Sequence, residues 1–590
     1  MKKVSVYQEN FTKGEIDPRL HASPSLSAYR EGLEEAVNVW VTATGAVAKR
    51  YGIETLHTFP TDSDEWETKL IPFRNASGTD YLCAARAGEF LLFNLKEGAS
   101  PTAIPCEVLT AQTLPFLNFA AYGDSLIFVE NGLPPQQLKW TGGDNFSVET
   151  IAFSNIPTFE FSPNNSQPTT TLTPSARAGY VTLTTGTDVF QPTDVGKYVE
   201  ALPTGRVKIY KYNNARSAAG FVEEEFFDTT AVPAGNWTLE RGWEPLWGDG
   251  AFPATCAFHE DRLVLANFPR ARTTFAYSIA GAPFDFSTGD GSIAFGGART
   301  LSRDQSDAIR HAYSANSLYF FCANAEYVID QSATLELGLA PIRHDSSRGC
   351  LAEIKPLEGE DGGLYFFQPE GRGISEFRYY FDRASYEARN FASHFGHMLN
   401  LPRAASLWKG DEHLSINILF YVDCTGDLFA ITLKLEEKIC ACCRLEREHF
   451  SFAKVCAAGE KLYVLQRDYG DPLRKIYSIG HFEFERSLSD GEGYTPYESK
   501  ITLLPVAGET PFLTEGISTT TTIIYCIDAE QLAVNGKTVY AGAAKSGRFI
   551  HTFPSGFASG GKVTISDGSQ THDWTICGVG REALVGGPNG

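Results

Sequence analysis

The strongest constraint on how this chain can fold is a run of short apolar segments, separated by turn residues, that recurs from residue 68 to about 480. Thr68-Lys69-Leu70-Ile71-Pro72-Phe73 is followed by a turn at Asn75 to Gly78, then by Tyr81-Leu82-Cys83-Ala84, a turn at Gly88, and Phe90-Leu91-Leu92-Phe93. That spacing predicts consecutive antiparallel strands. The unit returns as Leu117 to Tyr122, a Gly123-Asp124 turn, Leu126 to Val129, and Pro134-Pro135-Gln136-Gln137-Leu138. Further pairs are Leu263 to Ala266 with Thr274 to Tyr277, Leu318 to Phe321 with Tyr327 to Ile329, and Leu364 to Phe367 with Ile374 to Phe377. Ile416 to Val422, Leu428 to Leu433 and Ile439 to Leu445 form a triple, and Leu462 to Leu465 pairs with Ile476-Tyr477. More than a dozen strands are too many for one sandwich. With no strict repeat motif, they predict a mainly β protein whose body is a degenerate β-propeller.

Composition agrees. With 54 Gly, 30 Pro and 13% aromatic residues in 590, a turn-rich β protein is favoured over a helical one. A net charge of −21 argues against a protein that grips nucleic acid, because such binding rests on Lys and Arg neutralising phosphates. No apolar run approaches the roughly 20 residues of a membrane span. Met1-Lys2-Lys3 leads into Val4-Ser5-Val6-Tyr7-Gln8-Glu9 and not into a signal sequence, so folding in a cytoplasm is expected, with the 12 Cys as reduced thiols.

The remaining segments flank or interrupt the propeller pattern. Phe159 to Ala178 is rich in Ser, Thr, Pro and Asn and reads as a linker. Strand-like pieces at Tyr180 to Leu183, Lys197 to Val199, Val207 to Tyr210 and Trp237 to Leu239 then predict a small inserted β-barrel. Past residue 490 the aromatic density falls, and Thr519 to Ile524, Val539-Tyr540 and Lys562 to Ile565 mark a distal β-domain. The expected organisation is an N-terminal arm and helix (1–58), a first propeller part (59–160), the insert (161–247), a second propeller part (248–490) and the distal domain (491–590).

At the start, Gly14, Pro18 and Pro24 break any regular element and predict an extended arm. A short helix is expected next, capped by Ser23 or Ser25, because Leu26, Tyr29, Leu33, Ala36 and Val37 recur at three- and four-residue spacing opposite Arg30, Glu31, Glu34 and Glu35. Asn38 and Trp40 begin an extended segment that turns at Gly45.

The order Phe11, Gly14, Pro18, Leu26, Tyr29, Gly32-Leu33, Asn38, Gly45, Arg50 and Gly52 resembles the opening of the tail nozzle proteins of short-tailed bacteriophages, also called tail tubular protein B. Ser25 and Tyr51 depart from that pattern, which often has an acidic residue and a proline there. Leu126 to Leu138 and Phe190 to Gly196 also resemble segments of the family. The strongest match is Phe252-Pro253, Phe258-His259-Glu260-Asp261-Arg262-Leu263, Tyr277-Ser278 and Pro283-Phe284-Asp285-Phe286, which stand in the order of its central domain.

The resemblance covers most of residues 10 to 480. It implies a structural virion protein, not an enzyme, assembled in a host cytoplasm into the phage tail. Six copies would form a ring beneath the adaptor (gatekeeper) ring of the portal, with tail fibres or spikes as further partners. The ring would retain packaged double-stranded DNA and then conduct it without specific binding, with no cofactor and no membrane insertion. Phe11, Gly14, Pro18, Arg19 and Tyr29 are the expected docking residues of the arm. Arg299 to Arg310, with its alternating charge, is either a loop facing a channel or neighbour or an ordinary solvated loop; Arg299, Arg303, Asp304 and Asp307 are its channel candidates. The competing class is a glycan depolymerase or receptor-binding protein on a β-propeller.

Other motifs read as structure. Gly123-Asp124-Ser125-Leu126 spells a serine-esterase signature, but its Ser precedes a strand, so a hairpin turn is expected. Cys440-Ala441-Cys442-Cys443 lacks the spacing of a zinc site, and alternation would send Cys442 and Cys443 to opposite faces. His394 and His397 have no Glu between them and are read as structural. Ser566 to Trp574 resembles a lone, misspaced Asp-box. Asp304, Asp307, Asp382 and Asp423 show no pairing as an acid and base.

Overall fold

In the computed structural model, residues 10–482 are described except 23–24, 51, 97–99, 161–167, 240–242, 249, 289–295, 303–305, 330–339, 360–361, 372, 411–416 and 471–473. Beyond them the backbone of 500–503, 520–534, 537–553, 562–566, 571–575 and 583–585 is described. The expected hairpins form, and each extends into a four-stranded antiparallel sheet. Six such sheets stand separately, and a seventh, 404–445, begins a twelve-stranded sheet, giving a propeller of seven blades. In chain order the blades cover 69–106, 118–150, 255–300, 309–346, 357–390, 404–445 and 450–482.

A blade buries both faces, so its strands read as continuous apolar runs such as Leu318–Cys322 and Leu428–Lys434. Between successive blades lies one apolar layer. Phe73, Phe90 and Phe128 fill the layer between blades 1 and 2, and Phe275 and Phe320 that between blades 3 and 4. The ring closes where Leu465 and Ile479 of blade 7 meet Leu82 and Leu91 of blade 1. Aromatic rings interlock edge to face, as for Phe90 and Phe128 with centroids 5.2 Å apart.

The fourth strand of blade 7 comes from the other end of the chain. Ile53–Thr58 pairs antiparallel with Ile476–Phe482, Ile53 opposite Phe482 and Thr58 opposite Ser478. Residues 53–58, expected in the arm, therefore belong to the propeller. Joining the two ends of the propeller within one sheet removes a free edge and ties the ring shut.

The helix expected across Leu26 to Val37 is confined to Ser27–Arg30, preceded by Leu26 with no side-chain cap, and Gly32–Val37 is a strand. A bulge misled the pattern. Pairing with Lys500–Leu503 slips between Leu33 and Glu35, so Leu33 and Ala36, three apart, are both buried.

The insert is one six-stranded antiparallel sheet curled around Leu183, Val207, Phe226 and Trp237. Trp237 donates its indole N–H to the carbonyl of Thr170 at 2.7 Å. The insert joins the propeller through a two-stranded neck, Thr158–Glu160 with Trp243–Pro245, so the expected linker begins as a strand. The distal segment holds the long hairpin Thr520–Val534 and Lys537–Phe553. It connects to the propeller through Lys500–Leu503, which extends the sheet of blade 6 beyond Gly32–Val37.

Candidate functional site

The segment carrying the resemblance at the start of the chain is a clamp on blade 6. Its anchor is the last strand of that blade, Ile439–Leu445, where Cys440 and Cys442 face blade 5 while Ile439, Ala441 and Cys443 face the clamp residues Leu33, Ala36, Val39 and Val41. The alternation expected for the cysteines is thus present. Among the described residues no cysteine is in a disulfide, and burial raises the thiols of Cys440 and Cys456 to about 12.

Gly14–Glu15 runs parallel to both Gly32–Val37 and this strand, with Gly14 opposite Cys442. Gly14 has φ +60, and a Cβ there would lie 2.5 Å from the Cys442 carbonyl oxygen. Gly32 is also required, because a Cβ would lie 2.6 Å from the Ile16 side chain. Asn38 takes a left-handed turn, and its side-chain oxygen accepts from Arg50 Nε at 2.7 Å and from the Glu446 amide at 2.8 Å. Arg50 is fully buried and also donates to the Glu446 carbonyl. These family-pattern residues are the joints of the clamp.

A polar network holds the arm from the other side. Glu15 and Asp17 are buried carboxylates. Glu15 accepts from the Ala36 amide at 2.9 Å and lies 3.2 Å from His397 Nε2. Asp17 receives Arg19 through two hydrogen bonds, at 2.8 and 2.6 Å, and that guanidinium holds its carboxyl well below the usual range. His394 stands 2.7 Å from the Cys440 carbonyl, and burial lowers its pKa. Both histidines are structural, as expected.

Of the expected docking residues, Phe11, Gly14 and Tyr29 are used inside the chain: Phe11 packs against the clamp core, and Tyr29 against Ile16. Pro18 and Arg19 stand at the surface. Of the channel candidates, Arg299 and Asp307 are described. Arg299 lies on the strand Gly297–Thr300 and donates to the Ala340 carbonyl at 2.8 Å. Asp307 is buried and accepts from the Asn324 amide and the Tyr327 hydroxyl, so it braces a turn. Arg303 and Asp304 lie outside the described residues.

Asp423 accepts from Thr425, Gly426 and Asp427 in a turn, and Asp382 is exposed on blade 5. Ser125 sits directly after its hairpin turn, paired with Tyr122. Residues 567–570 of the Asp-box-like stretch lie outside the described residues. No group of three His, Cys, Asp or Glu suited to a metal ion occurs among the described residues.

The signal missed in the sequence is exposed apolar area. Among the described residues, six large hydrophobic side chains stand exposed on the insert: Tyr180, Val195, Leu202, Tyr210, Phe221 and Phe227. Tyr180, 76% exposed, packs edge to face with Tyr210 and Phe221 at 5.6 and 5.3 Å, forming an aromatic patch on one side of the sheet. Alternation in Gly179–Thr185 and Ser217–Glu224 makes this legible, since Val181 and Leu183 point inward and Tyr180 outward.

No protein-family model and no curated protein matches the sequence. Among solved structures the chain is similar to apo AztD from Citrobacter koseri, at 12% identity and TM-score 0.30, covering 68% of this chain and 88% of that one. U3-55K gives 7% identity and TM-score 0.32 over 73% and 100% of the two chains. YCF48 from Cyanidioschyzon merolae gives 11% and 0.25 over 73% and 100%.

Proposed function

We propose that this chain is the tail nozzle subunit of a short-tailed phage, a structural protein that builds a six-membered ring beneath the portal adaptor, retains packaged DNA and conducts it during ejection. The observation that carries the reading is that the residues of the nozzle-like opening, Gly14, Gly32, Asn38 and Arg50, are the joints of the clamp on blade 6. They would specify the same clamp in any chain that shares the pattern. A closed ring of identical subunits needs two different complementary surfaces on each copy. The aromatic patch of the insert supplies one, since an apolar cluster at the surface is stabilised when a partner covers it. The propeller's own axis is crossed by side chains, as described below, so the conduit would lie on the axis of the ring.

The test is the mass and symmetry of the purified protein, alone and mixed with its adaptor ring, by negative-stain microscopy. Six-fold rings with a central channel are expected, and Tyr180→Ser with Phe221→Ser leaves a folded subunit that no longer closes them. A monomer or trimer under both conditions overturns the reading in favour of a depolymerase or receptor-binding protein.

A further inference from the structure

The first strands of the blades line the propeller axis, and side chains reach across it between blades that are not neighbours. Lys355, just before blade 5, donates to the Phe119 carbonyl of blade 2 at 2.9 Å. His311 of blade 4 meets Asn118 of blade 2, Nδ1 to Nδ2 at 3.2 Å, and its Nε2 lies 2.9 Å from the Leu351 carbonyl. Lys69, at the start of blade 1, donates to the Leu117 carbonyl at 2.6 Å. The three consecutive residues Leu117, Asn118 and Phe119 thus gather two lysine side chains and an imidazole.

Two basic side chains are thus drawn together inside a protein of net charge −21. Lys454 has a carboxylate partner, Glu67 at 3.4 Å. Lys69 and Lys355 have none among the described residues, and each uses one of the three donors of an ammonium. Burial, followed by repulsion from Lys454 and Lys355, draws Lys69 down to about 7 against the weaker attraction of Glu353. Burial lowers His311 to about 3, so its ring is neutral, and Nε2 carries the proton toward Leu351. Nδ1 is therefore an acceptor and fixes the Asn118 amide with its nitrogen toward the ring. The Asn118 side-chain oxygen is left buried without a hydrogen-bond donor.

Spare ammonium donors call for an anion, and an orphaned amide oxygen calls for a hydroxyl donor. We propose that the cluster around Leu117 to Phe119 binds inorganic hydrogen phosphate, its charged oxygens held by Lys69 and Lys355 and its P–OH donated to Asn118. A sulfate dianion has the same shape and charge but no hydroxyl, so the site distinguishes the two.

Titration calorimetry on the full chain at pH 7 and matched ionic strength tests this, with phosphate, sulfate and glycerol 3-phosphate as separate probes. One phosphate per chain is expected, with sulfate at least tenfold weaker. Glycerol 3-phosphate separates free phosphate from a phosphomonoester: binding as tight as phosphate would overturn the assignment to the inorganic ion. Lys69→Met and Lys355→Met, each checked for native circular dichroism, abolish the phosphate heat. No heat with the wild-type chain, or unchanged binding in both variants, overturns the site; sulfate binding equal to phosphate overturns the role of Asn118. None of these outcomes depends on ring formation.

Discussion

Replacing Gly14 by Ala tests the clamp most directly. At φ +60 an ordinary residue pays roughly 1–2 kcal/mol for the left-handed backbone. The added Cβ would also lie 2.5 and 2.6 Å from the carbonyl oxygen and amide nitrogen of Cys442, both backbone atoms of a strand packed on its two faces. Blade 6 cannot give way, so the arm must leave its place. It then loses the bonds from the Lys13 amide to the Glu31 carbonyl and from the Ile16 amide to the Leu33 carbonyl, each 3.0 Å, at about 1 kcal/mol apiece. The bonds from the Asp17 amide to the His394 carbonyl at 2.7 Å and from the Cys440 amide to the Thr12 carbonyl at 2.9 Å go with them, so four lost bonds total about 4 kcal/mol, with the backbone penalty relieved by the move. Gly88→Ala is the control, because Gly88 has φ +88 with nothing within 4 Å of a Cβ, leaving only the backbone cost. Hydrogen exchange of amides 11–37 should accelerate about a hundredfold or more in Gly14→Ala, since every 1.4 kcal/mol is about tenfold. Gly88→Ala should leave those amides unchanged and accelerate its own hairpin about five- to thirtyfold. Equal, small effects in the two variants would refute the steric argument.

The remaining predictions concern other sites. The hairpin between Thr255–His259 and Arg262–Phe268 turns through Glu260 and Asp261 at φ 47 and 57, a pair of left-handed residues for which Asn-Gly is the favoured sequence. Asp261→Gly should therefore stabilise the protein by about 1 kcal/mol in denaturant unfolding, and a loss of stability would sink the idea. Lys69 has its folded pKa drawn down to about 7 from 10.5, so the unfolded chain holds more protons between those values and stability rises with pH across that window. Lys69→Met removes this dependence; it should be more stable than wild type below pH 7 in phosphate-free buffer, with the gap closing as pH approaches 10.5. A gap independent of pH in thermal melts would contradict the assignment.

Much of the propeller was legible because a hairpin is a local object. The turns at Gly88 and Gly123-Asp124 and the flanking period of two are properties of neighbouring residues, and the opposite facing of Cys442 and Cys443 follows from strand geometry alone. The strand bulge at Glu34 was illegible, because three-residue spacing of Leu33 and Ala36 in a strand mimics a helical stripe until the partner strand is known. Asp307 looked like surface charge because the groups it braces, Asn324 and Tyr327, are brought to it by folding.

By itself the sequence determined most of the propeller strands, their hairpin pairing and the β class, since these rest on the alternation and turn chemistry of adjacent residues. Only the tertiary structure decided that there are seven blades, that residues 53–58 complete the last of them, and that Lys69, Asn118, His311 and Lys355 meet on one axis. Those contacts join residues tens to hundreds of positions apart. Forming them costs the closure entropy of the chain between, a balance that no local window of sequence contains.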